Sequence, residues 1–132
     1  MPAAMRRPVA LALLTLAVTG IAACGSDGSS GPTTIPPPAD VVIIAEEGIR
    51  WDKPEYAATS TNGKVVIQGR NESSLGHNLY VVGADGKQVA EHEDLGTKGQ
   101  SVTEAFDITP GTYTVICKIP GHAAMKSTLT VS

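Results

Sequence analysis

Residues 41–132 are predicted to form an all-β domain, an antiparallel β-sandwich of seven or eight strands with Greek-key connections. The apolar runs in this region are short, and none repeats with the period of a helix. They are rich in β-branched residues, and turn signals such as Asn62-Gly63 and Pro110-Gly111 separate them. Short strands divided by turns at intervals of about eight to twelve residues are typical of such sandwiches.

Seven runs have the composition of strands. Before the second run, Trp51 is predicted to fill the core, and Pro54 argues against a central strand in its neighbourhood. In the sixth run, Tyr113, Val115 and Cys117 alternate onto one face, which is predicted to point inward. In chain order the predicted strands are Asp40–Ala45, Lys64–Arg70, Leu79–Val82, Lys87–Ala90, Ser101–Ile108, Thr112–Lys118 and Ser127–Val131.

Two polar stretches are predicted to be loops. Asn71–Gly76 connects the second and third strands, and Glu91–Gly99 is expected to be irregular, with one helical turn. His92 lies in the second stretch among acidic residues, an arrangement that a weak second metal site would also have. A solvated charged loop is the favoured interpretation.

Residues 1–23 are predicted to be a signal peptide, with a positively charged start and an apolar run too short to span a bilayer. Their end, Ile21-Ala22-Ala23-Cys24, resembles the lipobox of bacterial lipoproteins, in which the cysteine becomes the first mature residue and carries lipid. The expected location is therefore the bacterial cell membrane, facing the periplasm or the cell exterior. Ordinary secretory cleavage after Ala23 is the alternative, and it also exports the chain.

Residues 24–40 are rich in Gly, Ser, Thr and Pro and are predicted to be a flexible tether. Cleavage before Cys24 removes Arg6 and Arg7 and no acid, so ten basic against thirteen acidic residues become eight against thirteen, a net charge of −5. Nucleic acid is not an expected partner of such a chain. A disulfide between Cys24 and Cys117 is possible only if Cys24 is not acylated.

Cys117, His122 and Met125 bring a thiol, an imidazole and a thioether into one short segment at the end of a strand. Soft and borderline donors of this kind favour copper over hard cations. Two histidines and one cysteine with a weak axial methionine make the blue-copper arrangement, which requires one more histidine. His77 begins a strand after a loop and can reach the same end of the sandwich. These four residues are predicted to bind one copper ion.

The segment Thr109–Cys117 resembles the strand that leads to the copper-binding cysteine in the cupredoxins, the blue copper proteins that include azurin, plastocyanin and amicyanin. Lys118–His122 resembles the azurin-like loop, Gly76-His77-Asn78 resembles the first-histidine motif of that group, and Thr128–Val131 resembles the closing strand. The resemblance extends over residues 41–132.

The resemblance implies a role for each site residue. Cys117 corresponds to the thiolate ligand, His77 and His122 to the equatorial imidazoles, and Met125 to the weak axial ligand. Asn78 corresponds to a residue that hydrogen-bonds to the cysteine loop, and Gly76 to a glycine whose carbonyl approaches the metal. Only Ala123 and Ala124 separate His122 from Met125, a shorter spacing than in many relatives and similar to that of amicyanin.

The resemblance also implies a monomeric electron carrier that exchanges electrons with a cytochrome, an oxidase or a reductase. The sequence has no evident second metal site, paired acids or activated nucleophile, so we do not expect an enzyme. One rival is an extracytoplasmic copper delivery or storage protein, although such proteins tend to present several Met and His residues. Another is a metal-free sandwich that serves in adhesion or assembly.

Overall fold

Two β-sheets packed face to face make up residues 37–132, the part of the chain that the computed structural model describes. The predicted signal peptide, Cys24 and most of the predicted tether lie outside these residues. None of the described residues forms a helix with the length and apolar character needed to cross a bilayer. The strands are β1 (Val41–Glu46), β2 (Arg50–Trp51), β3 (Glu55–Ala58), β4 (Lys64–Asn71), β5 (His77–Val82), β6 (Gln88–Leu95), β7 (Ser101–Asp107), β8 (Gly111–Ile116) and β9 (Lys126–Val131).

The sheets contain four and five strands, in the orders β2-β1-β4-β7 and β3-β9-β8-β5-β6. The predicted all-β sandwich is confirmed, with nine strands in residues 37–132 instead of seven or eight. Most strand pairs are antiparallel, as predicted, but the sheets are mixed, because β1 pairs with β4 and β3 pairs with β9 in parallel. Parallel pairs need a long crossover. Between β1 and β4 the chain crosses to the other sheet and forms β3 there.

Pro54 separates the two short strands that the sequence did not predict. β2 ends before it and β3 begins after it, and each lies at the edge of its own sheet. This position agrees with the exclusion of proline from central strands. Trp51 is only 5% exposed and packs in the core, as predicted.

The core lies between the sheets and follows the alternation of side chains along each strand. In β1, Val41, Ile43 and Ala45 point inward. In β9 the buried positions are Ser127, Leu129 and Val131. The same buried cluster includes Cys117 and Met125 at one end of the sandwich. Packing of the sheets therefore fixes the position of these two sulfur atoms.

β6 is longer than the sequence predicted. Its pairing with β5 continues to Leu95, so the predicted loop at Glu91–Gly99 is wrong for its first five residues. Acidic residues occupy the outward positions of this edge strand, while Ala90, His92 and Leu95 point inward. The inward spacing changes from two residues to three because the register with β5 shifts, which indicates a β-bulge.

His92 is 2% exposed and does not lie in a solvated loop. Its Nε2 atom donates a hydrogen bond to the carbonyl of Ile67 at 3.0 Å. Its ring packs edge-on against the ring of Phe106, with 5.1 Å between the ring centroids. Nδ1 is buried without a hydrogen-bond partner. Burial lowers the pKa of His92, although the Ile67 carbonyl and the carboxylate of Glu104 oppose this change. The neutral imidazole is therefore the form that the core accommodates.

Acid should destabilise the metal-free domain through His92. Because the folded state has the lower pKa, the unfolded chain takes up the proton first as the pH falls below about 6.5, and the free energy of unfolding decreases from that point downward. His92→Gln removes this proton uptake and keeps an amide that can donate to the Ile67 carbonyl. Denaturant titrations at about pH 7.5 and about pH 5 should show a smaller loss of stability in the variant. Equal losses in the two proteins would exclude His92 as a source of acid sensitivity.

Candidate metal centre

The site forms where β8 ends and β5 begins. The two strands pair antiparallel, with Tyr80 opposite Ile116. Antiparallel pairing places the last residue of one strand near the first residue of the other. His77 is the first residue of β5, and Cys117 directly follows Ile116, the last residue of β8. The sheet therefore brings together two residues that are forty positions apart in the sequence.

His77, Cys117 and His122 converge on one point. One ligand atom from each lies within 4.8 Å of the others. The Cys117 Sγ atom lies 3.5 Å from His122 Nδ1, and the rings of His77 and His122 have centroids 4.9 Å apart with a tilt of 47°. All three side chains are at most 8% exposed. Within residues 37–132, no other group of three His, Cys, Asp or Glu residues has this arrangement.

Two successive turns carry the chain from Ile119 through His122 to Met125 in the core. The His122 amide donates to the Ile119 carbonyl at 3.0 Å, and the Met125 amide donates to the His122 carbonyl at 2.8 Å. Gly121 has a φ of 91°, which glycine adopts without steric cost. Met125 is 1% exposed and directly precedes β9. The spacing of two alanines is therefore sufficient to bury Met125 in the same cluster as Cys117.

The environment of His77 fits a metal ligand. Both of its ring nitrogens are buried, and neither has a hydrogen-bond partner. A buried polar atom without a partner is costly, so such atoms usually indicate a bound group. Burial, and then the nearby His122, lower the pKa of His77, although Glu47 acts in the opposite direction. The neutral imidazole that this favours is the form that binds metal.

Asn78 braces the cysteine loop from the neighbouring strand. Its Oδ1 atom accepts a hydrogen bond of 2.7 Å from the backbone N–H of Lys118, which is the cross-loop bond that the resemblance implied. Gly76 is packed closely, since a Cβ atom there would lie 3.0 Å from the carbonyl oxygen of Gly96. The approach of the Gly76 carbonyl to the metal stays a prediction.

Sequence reasoning missed Asn71, which it placed in a polar loop. Asn71 is the last residue of β4 and is fully buried. Its side-chain amide makes three hydrogen bonds to the chain around His77, including one to the backbone N–H of Ser73. An asparagine at the end of a predicted strand was a usable signal, because its side chain commonly bonds the backbone two residues later.

The family model described as copper binding proteins, plastocyanin/azurin family, matches residues 41–132, and the chain belongs to this family. A dithionite-reduced auracyanin from the photosynthetic bacterium Roseiflexus castenholzii is similar at 25% identity, with 69% of this chain and 94% of that chain covered and a TM-score of 0.59. Auracyanin B is 27% identical over 70% of this chain and 87% of that chain, with a TM-score of 0.59. An azurin from Methylomonas sp. strain J shares the fold at 16% identity, with 71% and 98% covered and a TM-score of 0.58. No curated protein matches the chain.

Copper is the cofactor of this domain. The family is copper-binding, and His77, Cys117, His122 and Met125 are positioned as a type 1 copper site. The donor set of two imidazoles, one thiolate and one thioether is the set that selects copper in such sites.

Replacing Cys117 by serine should abolish the intense visible absorption of the copper-loaded protein, because a hydroxyl cannot provide the thiolate bond. Absorption spectra recorded after addition of one equivalent of copper measure the effect. Cys24→Ser is the matched control, since it removes the other cysteine and should leave the spectrum unchanged. A Cys117→Ser protein with the spectrum of the parent would contradict the assignment of Cys117 as a ligand.

Proposed function

We propose that the domain carries single electrons between redox proteins outside the cytoplasm, without catalysing a reaction of its own. The observation that supports this most is the convergence of three ligand atoms within 4.8 Å in a buried site, together with the burial of Met125 in the same cluster as Cys117. Bound copper supplies a one-electron couple between Cu(II) and Cu(I). The proposed partners are a cytochrome, an oxidase or a reductase, and the chain is proposed to act as a monomer.

The residues around the site limit its rearrangement. Cys117 is held between the end of β8 and the bond from Lys118 N–H to Asn78 Oδ1. His122 and Met125 are held by the two turns that begin at Ile119. Their low exposure also excludes water from the ligand atoms. A site that keeps one geometry in both oxidation states is suited to electron transfer, because little reorganisation then accompanies each step.

The surface at His122 supports an assignment of the electron entry point. His122 is 8% exposed, and its neighbours Ala123 and Ala124 are exposed, small and uncharged. Leu75, on the loop that leads to His77, is 44% exposed. Small uncharged side chains such as those of Ala123 and Ala124 lose their water at low cost and allow a partner to approach without forming a tight, slowly dissociating complex.

Ala123→Glu should slow electron transfer to the physiological partner while the visible spectrum stays unchanged. The new carboxylate would have to lose its hydration in the encounter complex. Stopped-flow transfer rates measure the effect. Ala84→Glu is the matched control, because Ala84 is also an exposed alanine and follows the far end of β5. Equal rates for Ala123→Glu and the parent would place the electron entry point elsewhere.

Met125→Leu should keep copper and colour but raise the reduction potential, because a weak donor to Cu(II) is lost. A leucine of similar volume preserves the packing of this buried position. Voltammetry of the parent and the variant measures the change. An unchanged potential would show that the Met125 thioether does not bind the metal.

We also propose that lipid on Cys24 anchors the domain to the bacterial cell membrane, facing the periplasm or the cell exterior. The lipobox-like end of the predicted signal peptide and the Gly/Ser/Thr/Pro-rich residues 24–40 support this. A tether of this composition would leave the domain free to turn towards its partners.

Cys24→Ala should release the protein from the membrane fraction and leave the copper spectrum intact. Membrane and soluble fractions of cells that express the parent or the variant can be compared by immunoblotting. A variant that stays in the membrane fraction would indicate an uncleaved signal anchor and contradict lipid attachment at Cys24.

A further inference from the structure

The side-chain amide of Asn71 joins three segments that surround His77. Its Nδ2 atom donates to the carbonyl of Leu75 at 2.8 Å and to the carbonyl of Leu95 at 2.7 Å. Its Oδ1 atom accepts a hydrogen bond of 2.8 Å from the backbone N–H of Ser73. Both side-chain donors and the carbonyl are thus used in a residue that is fully buried.

Each of these three bonds acts close to His77. Leu75 lies two residues before it, and the bond to Ser73 shapes the turn between β4 and that point. Leu95 is the residue opposite His77 in the pairing of β5 with β6. Asn71 therefore connects the end of β4 to the segment that leads into His77 and to the strand beside it.

The backbone of Asn71 is fixed as firmly as its side chain. Its N–H donates to the Gln100 carbonyl at 2.9 Å, and its carbonyl accepts from the Gly99 amide at 2.7 Å. The loop between β6 and β7 is thus tied to the same residue. Because the backbone and the side chain of Asn71 are both hydrogen-bonded, Asn71 can hold the segment before His77 in a fixed position relative to the sheets.

His77 lacks the support that metal-binding histidines usually have. In most such sites the nitrogen that does not bind metal donates to a carbonyl or carboxylate, which fixes the orientation of the ring. Neither ring nitrogen of His77 has a protein partner. The position of this imidazole therefore depends on its backbone and on packing, and Asn71 holds that backbone.

We propose that Asn71 is a positioning residue for His77, acting through the Leu75 and Leu95 carbonyls. The proposal rests on the proposed function only in that His77 binds copper. In other metal sites a hydrogen bond to the ligand histidine itself fixes its position. Here an asparagine outside the ligand set, and outside the sequence motifs, would do so through the backbone. Removal of its two donor bonds should loosen the His77 loop and weaken copper binding.

Two substitutions test this role. Asn71→Leu removes all three side-chain hydrogen bonds at similar volume, and Asn71→Ser removes the two donor bonds while its hydroxyl can still accept from the Ser73 amide. Val131→Ala is the control, because Val131 is buried at the opposite end of the β8–β9 ladder and its truncation destabilises the core without contact with the site.

The first measurement is hydrogen exchange in the metal-free domain, followed by NMR. In the Asn71 variants the amides of Leu75 and His77 should exchange faster, by a larger factor than amides in the centre of β9. In Val131→Ala, exchange should not increase selectively at Leu75 and His77. If Asn71→Leu does not fold, Asn71→Ser alone decides. Unchanged relative protection of this segment in the Asn71 variants would overturn the proposal.

The second measurement is Cu(II) affinity by chelator competition, together with the electron paramagnetic resonance spectrum. We expect affinity to fall about tenfold to a hundredfold in the Asn71 variants, with altered copper hyperfine splitting, and to be preserved in Val131→Ala. Variants that match the parent in affinity and spectrum would overturn the proposal. A parent that shows no type 1 copper spectrum would instead overturn the proposed function, and hydrogen exchange would still test the hold of Asn71 on His77.

Discussion

The antiparallel pairing of β5 with β8 is the constraint on which the site depends. It places Tyr80 opposite Ile116 and so brings the first residue of β5 next to the residue that follows β8. The hydrogen bond between Lys118 N–H and Asn78 Oδ1 continues this connection past the end of the ladder. His77 and Cys117 meet because the register is fixed, and a slip by one residue would point their side chains to opposite faces.

The site buries polar imidazole groups at one end of an otherwise apolar core. His77 and His122 are at most 8% exposed, and each ring nitrogen of His77 lacks a partner. A buried group left in this state costs about 1–3 kcal/mol. Copper bound to the folded state offsets this cost and stabilises the domain by mass action. The apolar cluster of the sandwich, which contains Cys117 and Met125, holds the ligands in place.

Local patterns were sufficient to predict the ligand set and most strands. The segment from Cys117 to Met125 is short enough for spacing alone to indicate convergence, and alternation along Thr112–Lys118 predicted the burial of Val115 and Cys117. Long-range pairing between strands could not be predicted from local patterns. The parallel neighbours of β1 and β3 depend on which sheet each segment joins, and that choice is made by tertiary packing.

β6 and Asn71 show why polar residues were misassigned. Glu91, Glu93 and Asp94 suggested a loop, although they occupy the solvent face of an edge strand whose other face buries His92. Charges on the exposed side of an edge strand are common because they prevent pairing with other chains. Asn71 can be fully buried because its side chain donates hydrogen bonds to the backbone carbonyls of Leu75, in the following loop, and of Leu95, which is distant in the sequence.

Reversible colour change in the copper-loaded domain, residues 41–132, tests the central claim most directly. The domain would be titrated with copper, then reduced and reoxidised over several cycles while its visible absorption is recorded. A type 1 site should give an intense blue colour that saturates at about one copper per chain, bleaches on reduction and returns in full on oxidation. Absence of the colour, or loss of copper from the protein in the first reduction, would contradict a type 1 site that carries single electrons.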